Sequence, residues 1–380
     1  MNFDLSDEQI FLREAARGAL SRFKTVEAAR EALEDSAALP DLWPTAVEAG
    51  WPGLLISEDR GGAGLGAFDA LLIAEECGRV LAGVPLVGLL PATALLNAAG
   101  HSELERVAAG ELRPVLVPAR PPSGADGDVD WTVEGRSGHG RVGAPAAVGD
   151  GDDVTLSGEV AFVVDAPGAG LLVVVAVDAN GRALAAAVDV DQAGVTVETV
   201  TSYDATRALA HVKLVDAAGV RLCATEGQIA DAWFLAHALI AAESLGAVQT
   251  CLEVSVQYAK ERFTFGRAIG SYQSIKHELT EILRRLENAR GLQYYAGWAH
   301  ASKPEEFPLA ASAARSAAGS ALDHAARAMI NVHGGIGATW EHDAPLFFRR
   351  AQLSRRLLGG THDATDRVAR ESIAAVRAAA

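Results

Sequence analysis

The sequence predicts an α+β protein built in three successive parts. These are an N-terminal helical domain (1–112), a middle antiparallel β-barrel or sandwich domain (113–222) and a C-terminal four-helix-bundle domain (223–380). Composition shifts mark the joints, one near Glu111 and one at Thr225. Between them glycine, valine, aspartate and proline dominate, while both flanks carry apolar residues at helical spacing. A chain of 380 residues is also long for a single core, so two or three domains are expected.

In the first part, Ser6 and Gln9 have capping-box spacing, and Ile10, Leu12 and Ala16 begin an apolar helical face. A second helix is predicted from Pro40 to Glu48, with Pro44 in its first turn. The cluster Gly61-Gly62-Ala63-Gly64 lacks the lysine of a P-loop and follows no clear strand, so it reads as an interhelical turn. Helices over Ala67–Leu81 and Leu86–Ala99 follow. In the middle part, strands are predicted at Val115–Val117, Val160–Val164, Leu171–Val177, Ala183–Val190, Val195–Val200 and Ala208–Val215. Turn pairs such as Asp150-Gly151, Pro167-Gly168 and Asn180-Gly181 separate them. Pro121–Asp130 reads as a mobile loop. In the last part, Thr225 and Gln228 offer another capping box, and Ile229, Trp233, Ala236 and Ile240 keep helical spacing. Further helices are predicted over Ser274–His300, Pro308–Val332, Glu341–Leu358 and Asp363–Ala378, punctuated by Pro304, the glycines after His333, and Gly359-Gly360.

Composition excludes several classes. The net charge of −16 argues against nucleic acid or an anionic membrane as a general partner. Cys77, Cys223 and Cys251 have neither metal-ligand nor CxxC spacing and read as apolar or reduced thiols, as expected of a cytoplasmic protein. The N-terminus lacks a signal-peptide pattern, and no membrane span is expected because polar residues interrupt each apolar run.

One stretch is dense in binding chemistry. Tyr258–Gln273, YAKERFTFGRAIGSYQ, joins two long helical runs. Glycine costs about 1 kcal/mol in a helix interior, so the Phe265-Gly266-Arg267 turn is expected to end one helix and Tyr272-Gln273 to open the next. Arg262 and Gln273 then face each other across the junction. A guanidinium fork and a neutral amide suit a ligand with phosphates and polar ring edges, though they could equally cap the helices themselves.

Three segments, taken together, resemble the acyl-CoA dehydrogenase family over nearly the whole chain. They are YAKERFTFGRAIGSYQSIKHELTEI, NVHGGIGATWEHDAPLFFRRA and the N-terminal SDEQ…GWPGLLISEDRGGAGL…AEECGR. The resemblance implies FAD lying between the strand domain and the C-terminal helices, with its far end reaching a neighbouring subunit. It implies that Arg262, Phe263, Thr264, Phe265, Gln273, Asn331, Gly334 and Gly335 contact the phosphates and adenine side, and that Thr361 and Asp363 approach the flavin. It also implies an acyl-CoA substrate, electron-transfer flavoprotein as acceptor, and a dimer or tetramer of like or homologous chains.

In that family a carboxylate base removes the α-proton of the thioester while the β-hydrogen leaves as hydride to the flavin. The position matching the usual glutamate is Gly359, which has no proton acceptor. The alternative position in some relatives matches Ala236, beside His237. His237 on an apolar helix reads better as a core histidine than as a base. Glu243, two turns further along, is the remaining candidate base, with an arginine ion pair as its competing role. The Thr-Glu-Pro…Gly-Ser-Asp loop and Trp-Ile-Thr strand of active members are replaced by Val117–Asp126 and Val160–Asp165. Three functions are therefore expected in competition. One is an FAD-dependent acyl-CoA dehydrogenase, with a steroid side-chain thioester as a candidate substrate. The others are a non-catalytic partner subunit in a hetero-oligomer and a flavin monooxygenase on the same fold.

Overall fold

The computed structural model describes residues 4–123, 129–137, 140–149 and 151–379. Residues 124–128, half of the loop expected at Pro121–Asp130, and Asp150 of one expected turn lie outside the described residues. The N-terminal part holds α1 (Asp7–Leu20), α2 (Thr25–Glu31), α3 (Trp43–Glu48), α4 (Ala67–Arg79), α5 (Leu86–Ala98) and α6 (Leu104–Ala108). Ser6 and Gln9 form the expected reciprocal cap of α1. Helix α2 was not legible as a separate element: it is one short stretch with two fully buried side chains, Thr25 and Ala29. The glycine cluster is a tight turn, in which Gly61 and Gly64 take left-handed φ of 80° and 61°.

The middle part runs from β1 (Pro114–Val117) through β2 (Thr132–Glu134), β3 (Arg141–Gly143), β4 (Ala146–Val148), β5 (Asp153–Val164), β6 (Leu171–Val177), β7 (Ala183–Asp189) and β8 (Val195–Val200) to β9 (Leu209–Arg221). The pairings β6–β4, β4–β5, β5–β9, β9–β7 and β7–β6 close into a ring, so the sheet is barrel-like. Most pairings are antiparallel. Two are parallel, β1 with β6 and β4 with β6, and neither pair is joined by a hairpin. Strands β2, β3 and β4 escaped the sequence reading; at three residues each they carry no alternation to detect.

The C-terminal part consists of α7 (Glu226–Glu261), α8 (Gln273–Ser302), α9 (Phe307–His333), α10 (Ala344–Ser354) and α11 (Gly360–Ala379). Between α7 and α8, β10 (Phe263–Thr264) pairs with β11 (Arg267–Ala268). The expected turn is thus a small hairpin: Phe265 and Gly266 sit at φ of 49° and 79°, left-handed at both central positions. Helix α11 begins earlier than expected, at Gly360. By length and composition α7 could cross a bilayer, but its apolar window is 89% buried inside the bundle.

Two glycines set the packing of the N-terminal part on the bundle. A Cβ at Gly78 of α4 would collide with the Glu243 carbonyl of α7, and one at Gly246 would collide with the Glu75 carbonyl of α4. Each helix therefore spends a helix-disfavoured residue to let the other backbone approach. The crossing buries the middle of α7 and places Glu243 at the junction of all three parts.

Candidate functional site

Glu243 is 2% exposed. Its carboxylate accepts from Arg207, between β8 and β9, and lies 3.8 Å from Arg350 of α10. Arg350 in turn donates to Asp204 at 2.6 Å and to Thr206. Burial pushes the Asp204 carboxyl up, but Arg350 and Thr206 outweigh it and hold it below its ordinary value. Nearby Asp165, which accepts from the Gly88 amide at 2.9 Å, is pushed up to about 6 by burial. Glu243 is thus tied to two arginines, the competing role expected for it, and the arginine partners are now named.

His237 is buried beside the segment that follows α10. Its Nε2 donates to the Leu358 carbonyl at 2.9 Å, while Nδ1 has no hydrogen-bond partner among the described residues. Burial, with help from Arg315, lowers its pKa to about 3. It stays neutral at physiological pH and acts as a core donor. Arg315, fully buried, holds the other carbonyls of the same segment, those of Ser354 and Leu357. These two side chains fix the path of Leu357-Leu358-Gly359.

That path brings Gly359 to the junction with φ of 74°. The volume its side chain would need is already taken. A Cβ there would collide with the Asp363 carboxylate and lie 2.5 Å from the Arg141 guanidinium. Arg141, on β3, donates to Asp363 and lies 3.4 Å from Glu134 on β2. Arg120 approaches Asp363 from the other side at 3.6 Å. Glu134, Arg141 and Arg356 line both a cavity of about 530 Å³ and an adjoining outer cleft of about 500 Å³. The cavity lies between the strand layer, at Thr132–Glu134, Val160–Phe162 and Val200–Tyr203, and the bundle, at Trp233 and Leu353–Leu358. Its strand wall contains a register shift between Val160 and Val163, where Phe162 takes φ of 56° and packs edge-on against His211.

The sequence-predicted cofactor residues fall into two groups. Arg262, Phe263, Thr264, Phe265, Gln273, Asn331, Gly334 and Gly335 are all exposed, Phe265 at 94%. Tyr258 stacks on His333 at 4.3 Å, which sets the C-terminal turn of α7 beside that of α9 and gathers this group on one face. No carboxylate lies within ion-pair distance of Arg262 among the described residues, and nothing stands within 4 Å of where a Cβ would extend from Gly334 or Gly335. Thr361 and Asp363 form the second group. Thr361 packs against Gly319, fourteen residues before His333 on α9, or roughly 20 Å along the helix. The sequence reading missed Arg141 and Arg207; neither has a motif around it, and each acts only through its partner across a domain joint.

The N-terminal acyl-CoA dehydrogenase domain profile matches residues 6–107, and the C-terminal domain profile matches residues 234–375. Acyl-CoA dehydrogenase IpdE2 of Mycolicibacterium smegmatis is 30% identical over 358 residues, covering 93% of this chain and 96% of the relative. This chain belongs to the acyl-CoA dehydrogenase family. Among solved structures, a variant of the Tcur3481-Tcur3483 steroid ACAD superposes with a TM-score of 0.84 at 26% identity, covering 98% of this chain and 99% of that one. The ChsE4-ChsE5 complex of Mycobacterium tuberculosis superposes with a TM-score of 0.82 at 22% identity, covering 98% and 99%. Members of the family are flavoproteins that oxidise CH–CH bonds of acyl-CoA, and the cofactor is FAD.

The residues of this chain fit that cofactor unevenly. The exposed face at Arg262 and Gly334 offers an uncompensated guanidinium and open backbone, as an anionic diphosphate requires. The inner position differs: the Asp363–Arg141 pair occupies the space a side chain at Gly359 would need, and the carboxylates there, Asp363 and Glu134, both lie against Arg141.

Proposed function

We propose that this acyl-CoA dehydrogenase acts as the base-lacking subunit of a hetero-oligomer, completing the FAD site of a homologous chain. The observation that carries the reading is the split itself. The outer face of Arg262, Phe263, Thr264, Phe265, Gln273, Asn331, Gly334 and Gly335 is open and cationic, whereas the volume at Gly359 is plugged. Arg262 would pair with the diphosphate, Gln273 and Asn331 with polar edges of the cofactor, and Gly334-Gly335 would let backbone amides approach. The partner would supply the carboxylate that removes the α-proton and the inner walls of the flavin site. Of the two residues the resemblance places near the flavin, Thr361 lines the outer cleft and Asp363 is held by Arg141.

The assembly would carry out α,β-dehydrogenation of an acyl-CoA thioester in the cytoplasm, passing electrons to an electron-transfer flavoprotein. Similarity at 26% identity to the Tcur3481-Tcur3483 steroid ACAD supports a steroid-derived acyl group and an assembly of two chain types. The test is expression of the chain alone and with a homologue encoded beside it. The lone chain is expected to hold little flavin and to leave acyl-CoA untouched, while the pair is yellow and active. Full flavin loading and acyl-CoA oxidation by the lone chain would sink the proposal.

A further inference from the structure

We infer that His342 is a positioning residue for the outer face of Arg262, Gly334 and Gly335, and that it makes the hold of this face on flavin pH-sensitive. The inference rests on the proposal that this face meets the diphosphate of FAD. Three rings are stacked behind it. Tyr258, in the last turns of α7, stacks on His333 with 4.3 Å between ring centroids, and His333 stacks on His342 at the same distance. The rings belong to different arms of the face. The Tyr258 carbonyl accepts from the Arg262 amide at 2.8 Å, where α7 ends. His333 is the last residue of α9 and precedes Gly334. His342 stands just before α10, so its contact with His333 closes the loop over 334–341 that carries both glycines. The stack therefore sets the guanidinium arm against the glycine arm.

Hydrogen bonds fix the protonated nitrogen of each imidazole, because a carbonyl only accepts and an amide N–H only donates. His333 is buried, and its Nδ1 donates to the Met329 carbonyl at 2.7 Å. That bond survives addition of a second proton to the ring. His342 is half-buried, and its Nδ1 accepts from the Ala344 amide at 3.0 Å, a donor in the first turn of α10 with no partner inside the helix. A proton on that nitrogen replaces the bond with two opposed donors and sets a cation against the His333 ring. Among the described residues, the groups facing His342 are His333 of α9, Asp343 on its own turn and Arg30 of α2, which pairs with Asp343. Tyr258 of α7 joins them through His333. Burial lowers the His342 pKa, His333 and Arg30 add to the effect, and Asp343 opposes it. The fold thus disfavours the proton: the neutral cap contributes fully above the ordinary 6.5 and is lost as pH falls below it. On acidification the glycine loop loses its tie to α10 while Met329 still holds His333.

The test follows flavin absorbance of the co-expressed assembly after dialysis between about pH 7.5 and 5.5, with histidine NMR of the flavin-free full-length chain over the same range. Parent affinity for flavin should fall about 3- to 10-fold across it, the worth of the lost bond. His342→Asn, whose side-chain oxygen can replace Nδ1 without titrating, should hold flavin equally at both ends of the range. His342→Phe, which keeps a ring and loses the acceptor, should bind at the upper pH as weakly as the acidified parent, with thermal melts confirming that both variants fold. A parent whose flavin affinity ignores pH overturns the inference. So does a pH dependence that persists in His342→Asn, a His342→Phe variant that holds flavin as the parent does, or a His342 imidazole that charges at or above 6.5. Failure of the underlying proposal looks different: Arg262→Ala then leaves flavin retention unchanged at every pH.

Discussion

Replacing Glu243 by glutamine separates a catalytic carboxylate from a structural one. The change keeps shape and leaves Arg207 and Arg350, both almost completely buried, without their shared counter-charge. Breaking a buried ion pair from one side costs about 3–5 kcal/mol, because the surviving charge stays desolvated. Asp165 and Asp204 also act on Arg207, so the lower end of that range applies. At ~2 °C per kcal/mol, suited to a large domain, the melting temperature should fall by ~6 °C. The assay is a thermal melt of Glu243→Gln and Arg207→Met alone and of the double variant with methionine at both positions. The double variant should recover most of the loss, since apolar replacement of a buried pair is often neutral. A Glu243→Gln protein that melts like the parent, yet abolishes turnover of the active assembly, would refute the structural role.

Three other outcomes follow from the same geometry. Gly359→Glu should lower stability by about 1–2 kcal/mol for the left-handed backbone alone, and it should not give the lone chain acyl-CoA oxidation, because the new side chain must first part Asp363 from Arg141; thermal melts and a dye-reduction assay read both. Asp165→Asn should be nearly neutral around pH 4 and stabilising above pH 6. The folded carboxyl at about 6 lies above its ordinary 3.8, so the wild-type side chain's contribution is full below 3.8 and lost as pH rises through 6, a difference of about 3 kcal/mol in denaturant titrations at pH 8. Arg262→Ala should weaken flavin retention by the assembly about 10- to 100-fold, the worth of a charge-assisted contact, read as flavin absorbance per oligomer after dialysis; unchanged absorbance would count against its place on the diphosphate.

Much of the fold was legible because its signals are local. The caps at Ser6 and Thr225, and the apolar spacing of Ile229, Trp233, Ala236 and Ile240, fixed helix starts and faces. Strands β6 and β8 were placed to the residue because turn pairs bound continuous β-branched runs. Short β2, β3 and β4 had no such signal, and the parallel partner of β1 cannot be read from a four-residue valine run. That position 359 carries no side chain was also visible, since glycine is a local fact. Which side chain fills that space was not.

The sequence by itself determined the three-part plan, the family and the bare glycine at position 359, because propensity, periodicity and residue identity are properties of neighbours in the chain. Only the tertiary structure decided what the remaining charges do. Arg207 and Glu243 are 36 residues apart and Arg141 and Asp363 are 222 apart, and neither pair is marked by any spacing. Their meeting depends on the close crossing of α4 on α7 and on the turn at Gly359, where backbones approach only because glycine leaves room. Charge pairing across domain joints is a consequence of packing, and packing is settled by the whole chain at once.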